Sequence, residues 1–280
     1  MACVYSMAKR EEIINHCKSI IDSGKRLSLA EEVQLVQCFC VSFPKDKLED
    51  ITAITSSMYD NKRCEGRCGI DRSVCSVCYV PRILGFKPNV RDSYELNTRI
   101  LSWFDISEKA WATLAIPTVN GNCRFESHGD TVNQTHAENL IKIAKTHKGI
   151  HFSPWSKNFM DWIPAFEKLG KPKNMQFVWS CLMIDHVNLA PKRLMPYVDH
   201  VFTVFNKKTA KELGLTINCG VYDANYNKID HKCKNCGRCY HGIYKKPRKG
   251  SKAWLEYKAM IEKLGLPYMG HDFYIFELKK

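Results

Sequence analysis

Two tight groups of cysteine constrain this chain more than any other feature. Cys64-x3-Cys68-x6-Cys75-x2-Cys78 lies near the front, and Cys233-x2-Cys236-x2-Cys239 lies near the back, with Cys219 just upstream of it. Any fold must place these sulfurs where they are either inert or ligating. The first thirty residues carry Lys9, Arg10, Glu11, Glu12 and Lys18 among short apolar pieces, without the continuous apolar run or cleavage site of an export signal. A reducing, cytoplasmic compartment is therefore expected, in which clustered cysteines read as metal ligands rather than disulfides. No apolar stretch reaches the roughly 18 residues of a membrane helix, so no membrane association is expected. Cys17, Cys38 and Cys40 stand apart from the groups and read as small core residues.

Three cysteines at successive two-residue gaps can wrap one corner of a cubane cluster. Structural zinc more often uses two separated C-x2-C pairs. With Cys219 the C-terminal group offers four thiolates, and Gly237 permits a tight turn. The first group can use all four of its cysteines for a closed site. It can instead use three and leave one iron open to a small molecule, which reductive cleavage of S-adenosylmethionine requires. Its spacing is not the C-x3-C-x2-C usual for that chemistry. A shared zinc, with Cys75 and Cys78 pairing with Cys236 and Cys239, is a further arrangement. The expected cofactors are thus one or two 4Fe-4S clusters, with S-adenosylmethionine and an electron donor as small-molecule partners, and zinc as the alternative.

Helical periodicity opens the chain. Ile13, Ile14, Cys17, Ile20 and Ile21 share a face that Gly24 ends, and Ser28 to Glu31 form a capping box before Leu29, Val33, Val36 and Cys40. Residues 60–90 read as loop, followed by a helix over Val90–Phe104. From about residue 120 strands alternate with helices: strands at Cys123–Glu126, Ile150–Ser153, Met175–Cys181, Val198–Phe205 and Leu215–Cys219. Between them fall helices capped at Thr135 and Ser156 and a short one over Thr209–Leu213. A helix over Ser251–Leu264 and an edge strand over Asp272–Leu278 close the chain. Repeated strand–helix units predict an α/β fold with a parallel sheet, open or curled into a partial (βα) barrel, behind an N-terminal helical extension. The expected division is residues 1–58 (helical region), 59–242 (metal-binding α/β core) and 243–280 (helix and strand extension).

In such sheets ligand chemistry gathers at the carboxyl ends of strands. Arg124-Phe125-Glu126-Ser127-His128-Gly129-Asp130 ends the first strand of the core. If the chain stays extended there, Glu126, His128 and Asp130 share a face and can bind an amine, orient a substrate or move a proton. Gly129 lets the backbone turn or a ligand come close. Arg124 and Gly129, with Ser153 and Ser180 at other strand ends, are the candidates to touch a cofactor, although serine at such places more often packs or caps. His136 and His151 read as core or surface histidines. No phosphate-binding glycine loop or nucleophile elbow is present.

The formal charge is +13. It fits a basic soluble surface or attraction to nucleic acid, and Lys245-Lys246-Pro247-Arg248-Lys249 is its densest run. A zinc-stabilised protein that binds nucleic acid without catalysis is therefore the alternative to an enzyme.

These residues resemble the phage gene product 88 family in three segments. They are Cys64 through Ser73-Val74-Cys75-Ser76-Val77-Cys78-Tyr79 with Asn89-Val90, then Arg124-Phe125 with Gly129-Asp130, and Cys233-Lys234-Asn235-Cys236-Gly237-Arg238-Cys239-Tyr240. The resemblance spans about residues 60–242. It implies a diverged relative of radical S-adenosylmethionine proteins, a partial barrel, and Cys64, Cys75 and Cys78 as the first cluster's ligands. Cys68 falls outside the family pattern. His128 stands where the family usually has serine, and Glu126 where it often has histidine.

Overall fold

The computed structural model describes residues 4–45, 48–59, 61–219, 222–223, 225–229, 232–241, 248–270 and 273–279. Lys245, Lys246 and Pro247 of the basic run, and Asp272 of the last expected strand, lie outside them. Among the described residues six strands form one parallel sheet in sequential order: β1 (Thr52–Ile54), β2 (Asn122–Phe125), β3 (His151–Ser156), β4 (Val178–Ser180), β5 (His200–Phe205) and β6 (Tyr274–Leu278). β1 and β6 are its outermost strands, and Ser42 makes an antiparallel bridge to Ala53 of β1. The register is direct, with Arg124 beside Ser153, Val178 beside His200, and Val201 beside Tyr274.

The helices are α1 (Met7–Asp22), α2 (Leu29–Gln37), α3 (Lys62–Cys68), α4 (Val80–Gly85), α5 (Pro88–Trp103), α6 (Glu108–Trp111), α7 (Gln134–Thr146), α8 (Phe159–Leu169), α9 (Lys207–Glu212), α10 (Cys233–Cys236), α11 (Arg238–His241) and α12 (Lys252–Lys263). Right-handed crossovers that always advance in one direction leave their helices on one face of the sheet. The core follows that rule. Phe125, Phe152, Phe177, Val201, Tyr274 and Phe276 pack with Ile100 and Leu101 of α5, Leu140 and Ile141 of α7, and Trp162 and Phe166 of α8. The opposite face holds a smaller cluster of Val178, Phe202 and Ile275, against which Trp155, Cys219 and Cys239 pack. Strand alternation assigns successive residues to these two environments.

The three expected regions share this one sheet, since β1 comes from residues 1–58 and β6 from 243–280. Buried Asn97 of α5 ties the front of the chain down. Its amide donates to Cys40 O and Thr55 O, and its Oδ1 accepts from Cys40 N and from the buried Arg10 guanidinium.

Several local expectations change. The capping box at Ser28 forms, but Leu29 is exposed and Cys40 lies beyond the helix. Asn133 and Asn158, rather than Thr135 and Ser156, cap α7 and α8 through their side chains; an Asn oxygen reaches the N2 or N3 amide that a hydroxyl one or two residues away does not. Part of the expected loop at 60–90 is helical. Leu215–Cys219 is no strand: it runs beside β6 through Asn218, whose side chain donates to Tyr274 O and accepts from Phe276 N. The edge of β6 is thus met by one side chain and a single backbone bond, from Cys219 N to Phe276 O, rather than by a ladder.

Two candidate metal centres at one end of the sheet

The first cysteine group lies in the β1–β2 crossover, at the carboxyl ends of the strands. Asn61 caps α3 by accepting from Arg63 N and Cys64 N. Residues four apart share a helix face, so Arg63 and Arg67 form one row and Cys64 and Cys68 the next. The arginine row anchors the helix: Arg63 Nη1 meets Asp161 Oδ2 at 2.6 Å and Arg67 Nη1 meets Asp130 Oδ2 at 2.7 Å. Asp130 also accepts from Ser156 Oγ at 2.5 Å, Thr131 N at 2.9 Å and Lys157 N at 3.0 Å. Further along, Val74 N donates to Leu182 O at 2.8 Å, which pins the Cys75 loop beyond the end of β4.

Cys64, Cys68, Cys75 and Cys78 all line one cavity of about 300 Å³, together with Arg124, Glu126, His128, Gly129 and Ser180. Burial first, and the Asp130 charge second, push the Cys64 thiol up to about 12. Burial raises Cys68 and Cys75 as well. Without metal these thiols stay protonated near neutrality, so ligation must release protons.

The second group is built on β6 and two single-turn helices. Cys219 N donates to Phe276 O at 3.0 Å. Cys233 and Cys236 begin and end α10, and Gly237 at φ +65° reverses the chain into Cys239 and Tyr240 of α11, as the sequence expects. Arg238 donates to Asn218 O, joining this turn to the Cys219 segment. Cys219, Cys233, Cys236 and Cys239 line a cavity of about 170 Å³. Burial pushes Cys239 up to about 12.

The two cavities share a wall of Tyr79, Arg124, Ser127, Trp155, Phe202 and Glu277. Cys75 and Cys78 therefore face a different space from Cys236 and Cys239, an arrangement unlike the shared zinc. Among the described residues no three Cys, His, Asp or Glu donors stand together closely enough for one metal ion. Zinc needs sulfurs gathered at about 2.3 Å from a single point. A set of four thiolates is the donor set of a tetrahedral zinc or of an iron–sulfur core.

At the end of β2 the chain does not stay extended. Glu126 adopts φ +54°, so Glu126, His128 and Asp130 do not share a face by alternation. Glu126 is buried. Its carboxylate accepts from Ser56 Oγ at 2.7 Å, Ser56 N at 3.2 Å and His136 Nε2 at 2.9 Å. His136 Nδ1 accepts from Val132 N, which assigns the ring proton to Nε2. Gly129 has φ +75°, and a Cβ there would meet Ser56 O and Oγ at 3.0 Å. Its freedom brings the loop against the end of β1. His128 packs between Tyr79 and Tyr94, with ring centroids 5.9 and 6.2 Å away. Burial, then the Arg124 charge, push it down to about 4.

Ser153 and Asp130 stand behind the cavity rather than in its wall. Ser153 Oγ accepts from Trp155 Nε1 at 2.9 Å, and the Arg124 guanidinium lies 3.7 Å over the Trp155 ring. The sequence reading missed Arg63, Arg67, Asp161, His136 and Ser56. The spacing Arg63-x3-Arg67 interleaved with Cys64-x3-Cys68 carried that signal once a helix was allowed there.

Fold and site together define an open parallel α/β protein with two cysteine-lined cavities side by side at the carboxyl end of one sheet. The chain belongs to the phage Gene product 88 family, whose model matches residues 28–249. That match extends beyond the three motifs to take in α2 and β1. No curated protein and no solved structure matches the chain. Among the described residues no helix is long and apolar enough to cross a membrane.

Proposed function

We propose that the chain is an iron–sulfur protein whose first cavity performs radical S-adenosylmethionine-type chemistry. Cys64, Cys75 and Cys78 hold a 4Fe-4S cluster there, and Cys219, Cys233, Cys236 and Cys239 hold an auxiliary one. The observation that carries this reading is the gathering of all four cysteines of the first group around one cavity at the carboxyl ends of the strands. Such a cluster with an open iron supplies single electrons to a ligand bound at that iron.

The chain's own residues prepare the space. Glu126 presents a carboxylate fixed by Ser56 and His136, suited to an ammonium group. His128 is held neutral, so it offers a ring nitrogen without a charge. Trp155 and Phe202 make the wall apolar, and the exposed Tyr79 stands at its edge. Cys68, one turn after Cys64, closes the site if it ligates and leaves it open if it does not.

The test is anaerobic reconstitution with iron and sulfide, followed by iron counting and assay for 5′-deoxyadenosine from S-adenosylmethionine. Two clusters per chain and turnover that Cys75→Ser abolishes support the reading. A fully loaded protein without turnover removes the enzymatic part. A colourless protein with stoichiometric zinc replaces it with the nucleic-acid-binding alternative, which salt-sensitive retention on a polyanion column then checks.

A further inference from the structure

We propose that Arg124, acting through the Tyr240 hydroxyl, is the internal counter-charge of the cluster in the second cavity and raises its reduction potential. This rests on the iron–sulfur reading of Cys219, Cys233, Cys236 and Cys239, and it names the side chains that tune that centre.

The cavity supplies the placement. Arg124 and Tyr240 line it together with the four cysteines. Tyr240 is fully buried on α11, which packs against β3. The Arg124 guanidinium hydrogen-bonds the Tyr240 side chain. A guanidinium only donates, so the tyrosine oxygen accepts and its O–H is left to donate onward. Cys233 and Cys239 are the sulfurs beside that hydroxyl. The same two sulfurs favour the charge on Arg124, and among the described residues no carboxylate pairs with it. A buried cation is costly unless something negative stands near it. The other arginine in this cavity, Arg238, donates to Asn218 O and ties the turn down. Arg124 is therefore the cation whose partner is the thiolate-held centre itself.

The cation is also held still. Arg124 lies on β2 in register with Ser153. The Ser153 hydroxyl holds the Trp155 indole, and the guanidinium stacks 3.7 Å from that ring. Trp155 in turn packs on Phe202 at 4.5 Å between centroids. A cubane held by four thiolates is an anion, and reduction adds one more negative charge. A fixed cation and a hydrogen bond to sulfur stabilise that reduced form more than the oxidised one, so the potential rises. Tyr240 lines only the second cavity, so the relay through its hydroxyl serves that centre and not the first.

The test is a redox titration followed by EPR on the full chain carrying C64S and C75S, reconstituted anaerobically so that the second group holds the cluster observed. Adding R124Q is expected to shift the cluster about 10- to 100-fold toward its oxidised form at a fixed potential, a midpoint lower by roughly 60–120 mV at about 59 mV per tenfold. Y240F, which keeps the ring, is expected to shift it roughly 3- to 10-fold in the same direction. R124K keeps the charge and should recover most of the loss. Electron–nuclear double resonance in D2O should find an exchangeable deuteron coupled to the reduced cluster, and Y240F should remove it. An unmoved midpoint in R124Q or in Y240F overturns the proposal. So does R124K falling as far as R124Q, which makes the effect one of packing. If R124Q takes up no iron, Y240F and the deuteron coupling decide, and absence of either effect overturns the proposal. Iron content of the same samples separates this from the reading beneath it. A brown, fully loaded chain whose potential ignores these changes removes the tuning role alone; a colourless chain that binds zinc removes both.

Discussion

Arg124 and Phe125 are consecutive on β2, yet they serve opposite purposes. Phe125 is fully buried and stacks on Phe152 at 4.7 Å between ring centroids, under the helices that cover that face of the sheet. Arg124 points to the other face, where Trp155, Phe202 and Glu277 line both cysteine cavities, Ser180 lines the first, and Ser153 stands behind them. The helix-covered face gains its stability from close apolar packing. The cysteine face is covered by loops and short helices held by point contacts: α3 by two ion pairs, the Cys75 loop by a backbone bond, α11 by Arg238. One face is close-packed, and the other leaves two cysteine-lined cavities beside it.

The largest expected effect lies on the packed face. Phe125→Ala should cost about 3–5 kcal/mol of unfolding free energy, because it opens a cavity in close-packed surroundings. Its neighbour Arg124→Ala should cost only about 1–2 kcal/mol, since loss of the stack on Trp155 is partly offset by removal of a buried cation that no carboxylate pairs. Denaturant titration of the two variants breaks the comparison if their costs are similar.

Next in size is the anchor of the cysteine face. Asp130→Ala should cost about 3 kcal/mol, because it leaves the Arg67 cation and three donors without their acceptor. The same change should lower iron uptake at the first group, since it frees the helix that carries Cys64. Loss of stability with iron binding intact would detach Asp130 from the site.

A pH dependence of roughly 1–3 kcal/mol comes third. His128 has its folded pKa pushed down to about 4 from the ordinary 6.5. The folded chain therefore refuses a proton that the unfolded chain accepts. Stability from this residue is present above pH 6.5, falls as the pH drops toward about 4, and levels off below. Chemical denaturation across that window should show the slope, and His128→Asn should flatten it. An unchanged slope in the variant assigns the effect to other groups.

The sequence made the parallel α/β fold, strands β2 to β6 and the grouping of the cysteines legible, because each rests on a local signal: strand and helix periodicity, and the spacing of one residue type. The turn at Gly237 was readable to the residue for that reason. The end of β2 was not. Extension past Phe125 gives Glu126, His128 and Asp130 one face, but φ at Glu126 is set by contacts with Ser56 and His136, which are distant in sequence. The same holds for Asp130. Its partners come from α3 and from the turn between β3 and α8, so no local pattern marks it as the anchor of Cys64. β1, only three residues long, lacks the length that periodicity needs.

The smallest expected effect is the most discriminating. Ser153 sits in register with Arg124, and its hydroxyl only orients the Trp155 indole. Ser153→Ala removes one neutral hydrogen bond and leaves Trp155 Nε1 without its acceptor, a cost of about 1 kcal/mol. On the packed face so small a change would be felt as stability alone. On the cysteine face it should act through the stack: the indole is released, the guanidinium 3.7 Å above it loses its fixed plane, and formation of 5′-deoxyadenosine drops severalfold while the melting temperature falls by only about 2 °C. Measured in one variant, melting temperature and turnover thus report separately on packing and on the site. If both shift together, or only stability moves, Ser153 belongs to the packing of the sheet and the functional separation of its two faces fails at β3.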